Sequence, residues 1–202
     1  MTACSQTGEL SQQASREELW QAQQAEAGAV QEWNMYARAV LKLEGEAYNI
    51  GIRWQRERNG SFMILLEAPF GQGVFRIDYG GAGDYRLLLP DGQSFRNTTA
   101  EALLEDAVGW SLPISGLDAW IRGLPHARSE HSRRLDSNGR ARSIRQDGWD
   151  IIYQDYSPDP GGTQLPRRLR LVDDPITFKL VIEHWQPPQS ENSDADLFPS
   201  FD

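Results

Sequence analysis

The feature that most narrows what this chain can fold into is a run of strand-length segments in hairpin order, broken once by two short helical segments. Tyr48, Ile50, Ile52 and Trp54 alternate with polar or small residues, the period of a strand with one buried face. Asn59-Gly60 is a hairpin signal, because both residue types tolerate the positive φ of a tight turn. Residues 62–66 read as a strand apolar on both faces, and the loop that follows carries Phe70 at its tip, between Pro69 and Gly71. Further strands are expected at 74–79, with Phe75, Ile77 and Tyr79 on one face, from Tyr85 through Leu87 and Leu89, and at 94–97. Beyond Pro125, Asn138-Gly139 and Asp147-Gly148 separate strands at 132–136, 140–146 and 149–156. Asp173-Asp174 turns the last pair, 167–172 and 176–185. About ten or eleven meandering strands curl into a barrel or half-barrel, so the class is mainly β with some α.

The interruption is as informative as the cadence. Thr98-Thr99-Ala100-Glu101 reads as a capping box, Leu103, Leu104, Ala107 and Val108 form an apolar stripe, and Gly109 ends the helix. In the next segment Ser115 is placed to cap and Asp118 sits in the first turn. Leu117, Trp120, Ile121 and Leu124 then share a face, and Gly123 and Pro125 stop the helix. A helix of about two turns is not stable alone, so its stripe must lie on something broad and apolar. It either covers a packed sheet or forms a lid over a cavity. Nearer the amino terminus, Ser15 to Glu18 is a capping box, and a helix is expected through 30–33, with Leu19, Gln23, Ala27 and Val30 on one face. The expected organisation is a tether over 1–14, one domain over 15–186, and a disordered, Pro- and acid-containing tail over 187–202.

Composition removes several function classes. A net charge of −9 disfavours nucleic acid, which rewards basic patches. A single cysteine, Cys4, excludes an internal disulfide and any CxxC metal motif. His126, His131 and His184 form no metal-binding spacing, no GxSxG elbow is present, and the glycine turns do not lead into helices. No residue argues for an enzyme, a metal or a cofactor. Seven Trp, seven Phe and six Tyr supply apolar surface for either a core or a ligand cavity.

Four features together resemble the LolB family, the outer-membrane receptors for lipoproteins in Gram-negative bacteria. Ala68-Pro69-Phe70-Gly71 is similar to the family's Asn-Pro-Leu-Gly loop. Leu112-Pro113-Ile114 through Leu117, Trp120-Ile121 and Gly123-Leu124-Pro125 is similar to its lid segment. A final strand ends in Trp185, and Cys4, after small residues and before a polar stretch, agrees with a lipid anchor. Departures are Ala68 for Asn, Phe70 for Leu and the acidic tail. The resemblance implies an incomplete antiparallel barrel with a helical lid over an apolar cavity. It implies a monomer acylated at Cys4 on the periplasmic face of the outer membrane. Such a protein accepts lipoproteins from the periplasmic carrier LolA and inserts them into the membrane without a nucleotide. Leu103, Leu104, Trp110, Leu112, Leu117, Trp120, Ile121 and Leu124 would form the lid wall of the acyl-chain cavity. Tyr48, Ile50, Ile52, Trp54, Phe75 and Ile77 are candidates for the opposite wall, and Pro69, Phe70 and Gly71 for a membrane-transfer loop. Apart from this resemblance, two readings stay open: a lipocalin-like carrier or enzyme for a small hydrophobic ligand, and an interaction protein with a filled core.

Overall fold

In the computed structural model, residues 4–67, 73–108 and 113–186 are described, with side chains for 14–67, 73–106 and 113–186. A helix α1 (Cys4–Ala29) leads into strands β1 (Trp33–Leu43), β2 (Glu46–Arg56), β3 (Phe62–Glu67), β4 (Val74–Tyr79), β5 (Tyr85–Leu88) and β6 (Ser94–Asn97). Helices α2 (Ala100–Val108) and α3 (Ile114–Trp120) follow. Strands β7 (His131–Leu135), β8 (Ala141–Gln146), β9 (Trp149–Pro158), β10 (Gln164–Asp173) and β11 (Ile176–Gln186) complete the described residues.

All eleven strands belong to one antiparallel sheet of order β6-β5-β4-β3-β2-β1-β11-β10-β9-β8-β7. Every neighbour is a sequential hairpin except β1 with β11, which joins the two halves of the chain from Asn34 opposite Gln186 to Lys42 opposite Thr177. The edges are β6 and β7, and they do not pair. The sheet is therefore a curled, incomplete barrel, and α2 and α3 are the connection between its open edges. Register shifts in β1–β11, β9–β10 and β7–β8 bend the sheet, as an extra residue in one strand does.

Strict alternation sends one face inward. Met35, Ala37, Ala39 and Leu41 of β1 line up with Phe178, Leu180, Ile182 and Trp185 of β11 and with Leu169 and Leu171 of β10. The other face carries Arg38, Lys42, Arg53, Arg76 and Glu183. α1, α2 and α3 all contribute to the single apolar core on the inner face.

Three expectations about α1 need correction. The helix begins at Cys4, so 5–14 is helical and Ser15 lies within it rather than capping it. It ends at Ala29, and Trp33 opens β1. The inward face is Trp20, Gln23 and Ala27, while Leu19 is exposed. Trp20 is the anchor, with the Arg133 guanidinium over its ring at 5.1 Å, and Gln23 Nε2 donates to the Gln164 carbonyl at 2.8 Å. Gly139, the turn residue between β7 and β8 at φ 73°, lets α1 approach. A Cβ there would lie 2.3 Å from Leu19 Cβ and 2.7 Å from the Trp20 nitrogen. Gly139→Ala is expected to lift α1 from the sheet, lower the melting temperature and make 14–29 the first segment cut in limited proteolysis. Unchanged cleavage would show that α1 is held without this close approach.

Candidate functional site

The inner face of the open sheet and the α2–α3 connection form the candidate site. α3 lies with Ile114, Gly116, Leu117, Ala119 and Trp120 all buried, and Ile121 continues the apolar stripe. Leu103 and Leu104 of α2 are buried alongside, and Leu124 packs against the same core.

The local sequence holds this arrangement by means that differ from the expected caps. Thr99, not Thr98, caps α2, its hydroxyl accepting from the Ala102 N–H at 3.2 Å. Glu101 does not fold back on its own helix. Its carboxylate reaches α3, where the Ser115 N–H (3.0 Å) and hydroxyl (2.6 Å) donate to it. The anion meets the N-terminal turn of α3, where unpaired N–H groups and the helix dipole favour it. Ser115 thus sits inside that turn, and Pro113 takes the position before the helix. The expected stop at Gly123 is present, at φ 78°, and the Leu124 N–H returns to the Ala119 carbonyl at 3.1 Å.

Gly116 has a second role. A Cβ there would meet the Trp120 ring at 2.7 Å, so only glycine lets the indole lie back over the helix. Trp120 then donates its ring N–H to Gln146 Oε1 at 2.9 Å, and its carbonyl accepts from the Tyr153 hydroxyl at 3.0 Å. Gln146 is 2% exposed and fully used, because its amide also donates to the His126 and Ser129 carbonyls and its oxygen accepts from the His126 N–H. Burial and the nearby Tyr156 hold the Tyr153 phenol neutral, with its pKa raised well above the ordinary value.

A second attachment ties α3 to the end of α1. Arg122, 9% exposed, donates to the Val30 carbonyl at 3.2 Å and pairs with Asp118 Oδ2 at 3.1 Å. Asp118 Oδ1 also faces Arg56 Nε at 2.9 Å. That approach lacks the angle of a hydrogen bond and is an ion pair. Burial pulls the Arg122 pKa below the usual arginine value, opposed by Asp118. Removing either carboxylate partner or guanidinium would leave the other poorly compensated.

Facing the helices, an aromatic row crosses the inner surface from β11 to β5. Trp185 and Trp33 meet edge-on at 5.3 Å, as do Trp33 and Trp54, and Phe62, Tyr79 and Tyr85 continue the row. The indole N–H groups of Trp33, Trp54 and Trp185 are buried without a hydrogen-bond partner among the described residues. A cavity of about 240 Å³ lies at this end, lined by Trp33 and Trp185 together with Val30, Arg58 and Pro160.

The chain matches the family model described as outer membrane lipoprotein LolB over residues 31–185. A LolB protein of Nitrosococcus oceani is 34% identical over 187 residues, covering 92% of each chain. One from Pseudomonas putida is 32% identical over 170 residues, covering 84% of this chain and 82% of its own. The chain belongs to the LolB family. As a member it is an outer-membrane lipoprotein with a role in lipoprotein localisation. The fold agrees with a LolA superfamily protein from Nitrosomonas europaea, at a TM-score of 0.52 and 10% identity over 84% of this chain and 94% of that one. It agrees also with an outer-membrane lipoprotein-sorting domain from Vibrio parahaemolyticus, at a TM-score of 0.51 and 11% identity, covering 87% of this chain and 93% of that one.

Against the residues expected to line a LolB cavity, Leu103, Leu104, Leu117, Trp120, Ile121, Ile52, Trp54 and Ile77 are buried together, with Ile50, Phe75 and Leu124 packed at their margins. Tyr48 departs: at 40% exposure it lies beyond the core, its hydroxyl donating to Glu46. β2 outruns the helices there, so alternation alone overstates the covered length. Among the lid side chains, Leu103, Trp120 and Ile121 are 0% exposed. Trp110 and Leu112, and the loop residues Pro69, Phe70 and Gly71, lie outside the described residues, as does the Cys4 side chain. Sequence reasoning missed Gln146 and Trp33. The first was visible as a polar residue at an inward position two places after Ile144; the second was hidden at a helix–strand boundary. Gln146→Leu leaves the Trp120 donor and two carbonyls unpaired, so a loss of about 2 kcal/mol is expected in denaturant unfolding. A neutral result would show that the lid is pinned by apolar packing alone.

Proposed function

We propose that this chain accepts lipoproteins from the periplasmic carrier LolA, holds their acyl chains between α3 and the inner sheet, and releases them into the outer membrane without nucleotide hydrolysis. The observation that carries this reading is the uncoupling of cover from scaffold. The apolar inner face is covered by a two-helix connection between unpaired edges β6 and β7, so the cover can move without breaking a strand pair. Magnitudes support the exchange. An acyl chain of ~16 carbons gains roughly 12 kcal/mol on burial at 0.8 kcal/mol per methylene. Exposing Leu117, Trp120, Ile121 and Leu103 costs roughly 6–12 kcal/mol at 1.5–3 kcal/mol each. A lipid can therefore take the place of the lid side chains at little net cost. The unpartnered indole donors of Trp33, Trp54 and Trp185 would meet the ester and amide carbonyls at the head of such chains.

Acylation of Cys4 belongs to the same reading: several acyl chains there would anchor the amino terminus firmly, and α1 would link anchor to receptor. Release falls to Phe70, between Pro69 and Gly71 in the β3–β4 connection, since an aromatic ring enters a bilayer interface with no charge to desolvate. The test follows a labelled lipoprotein from loaded carrier to this protein, and from this protein to outer-membrane vesicles. Phe70→Glu is expected to keep uptake within about twofold and to slow release tenfold or more. Equal loss of both steps would move Phe70 to the cavity mouth, and no acceptance by the parent chain would refute the receptor reading.

A further inference from the structure

A chain of net charge −9 nevertheless carries a concentrated basic surface among its described residues. It is a concavity of about 750 Å³ on the β7–β8–β9 part of the sheet, lined by Arg133, Arg134, Arg142 and Arg145, with Asp150 the one acidic side chain in its lining. The register sets Arg134 opposite Ser143, Ser143 opposite Ile152, and Ile152 opposite Arg170, so the basic face continues onto β10. Arg134 and Arg142 have no hydrogen-bond or ion-pair partner among the described residues, and Arg170 Nε is closed off without one. The contact between Arg145 and Asp150, at 3.7 Å between exposed groups, is loose. Arg133 spends its guanidinium on Glu17 and Trp20, whereas Arg134 and Arg142 keep their donors unspent at the concavity, and their planar forks match the oxygens of a phosphate.

The path of α1 identifies the occupant. Arg133 pairs with Glu17 and lies over the Trp20 ring, and the β7–β8 turn packs on Leu19, so α1 crosses the sheet at this same edge. From Trp20 the helix runs on toward Cys4 for about 24 Å at 1.5 Å per residue. In an outer-membrane lipoprotein anchored at Cys4, α1 would tether the barrel through this edge and bring it toward the bilayer. We propose that the concavity binds the phosphates of anionic phospholipid headgroups and so fixes the orientation of the barrel on the membrane. At physiological salt the screening length is roughly 8 Å, so the arginines act on a nearby headgroup while the acidic remainder of the chain is screened. The orienting role rests on the amino-terminal anchor; the headgroup site does not, and neither depends on lipoprotein acceptance.

The test uses the full chain with Cys4→Ser, so that no acyl group contributes, and measures partition onto vesicles of phosphatidylcholine alone or mixed with phosphatidylglycerol. Binding is expected only to the mixed vesicles and to weaken as salt rises. Arg134→Glu with Arg145→Glu should lower it tenfold or more, at about fivefold per arginine lost. Arg86→Glu, a charge change at an exposed position of β5 away from the concavity, should lower it less than twofold, and both variants should still accept lipoprotein from the carrier. Should the double variant lose its near-ultraviolet circular dichroism, Arg134→Gln with Arg142→Gln replaces it under the same criterion. Equal binding by variant and parent, an equal loss with Arg86→Glu, or capture of an acidic protein with no affinity for phosphatidylglycerol would each overturn the proposal.

Discussion

The structure depends on a pairing that is absent. β6 and β7 are the edges of an eleven-strand sheet and do not meet, so the barrel has an apolar inner face and no wall to close it. Unpaired edges and an exposed apolar surface are both liabilities in water. The chain answers with the segment that joins those edges. α2 packs on β5 and β6, α3 lies across the inner face, and α1 covers the β7 and β10 part of the same face. Each helix is amphipathic enough to bury a stripe, and α3 is too short to persist without one.

The attachments of α3 divide into two kinds. The apolar stripe supplies most of the stabilisation and no direction, since burial is proportional to area and indifferent to partner. Direction comes from a few polar contacts: Glu101 at the start of the helix, Gln146 and Tyr153 at Trp120, and the Arg56–Asp118–Arg122 group at the end of α1. Such contacts each add only about 0.5–1.5 kcal/mol net, but they fix one position of the helix. That combination suits a cover that must be specific when closed and replaceable by another apolar body of similar area. It also explains the glycine at 116. An alanine would gain helix propensity, yet its methyl would push Trp120 away from Gln146.

Much of this was legible in the sequence where local signals and long-range packing agree. Asn59-Gly60, Asn138-Gly139 and Asp147-Gly148 mark real turns, and the stripe of Leu117, Trp120, Ile121 and Leu124 faces the core. The family resemblance is upheld by the match over 31–185. Legibility failed where two local solutions compete. Ser15 and Ser115 each offer a capping pattern, and neither is used: the helix at 15 continues upstream, and at 115 a carboxylate from another helix meets the first turn. Trp33 fits the end of a helical face as well as the start of a strand, and only pairing with β2 and the ring contact with Trp185 of β11 resolve it. What lies beneath α3 was not readable at all, because a stripe that covers a core and one that covers a cavity have the same spacing.

The central claim is that α3 is a replaceable cover on a sheet that stays paired. Hydrogen–deuterium exchange, followed with and without a triacylated lipopeptide, tests it directly. The account requires faster exchange across 113–124 on loading, with the amides of β1, β10 and β11 unchanged. Lipopeptide binding that leaves 113–124 fully protected, or that loosens the β1–β11 pairing, would contradict it.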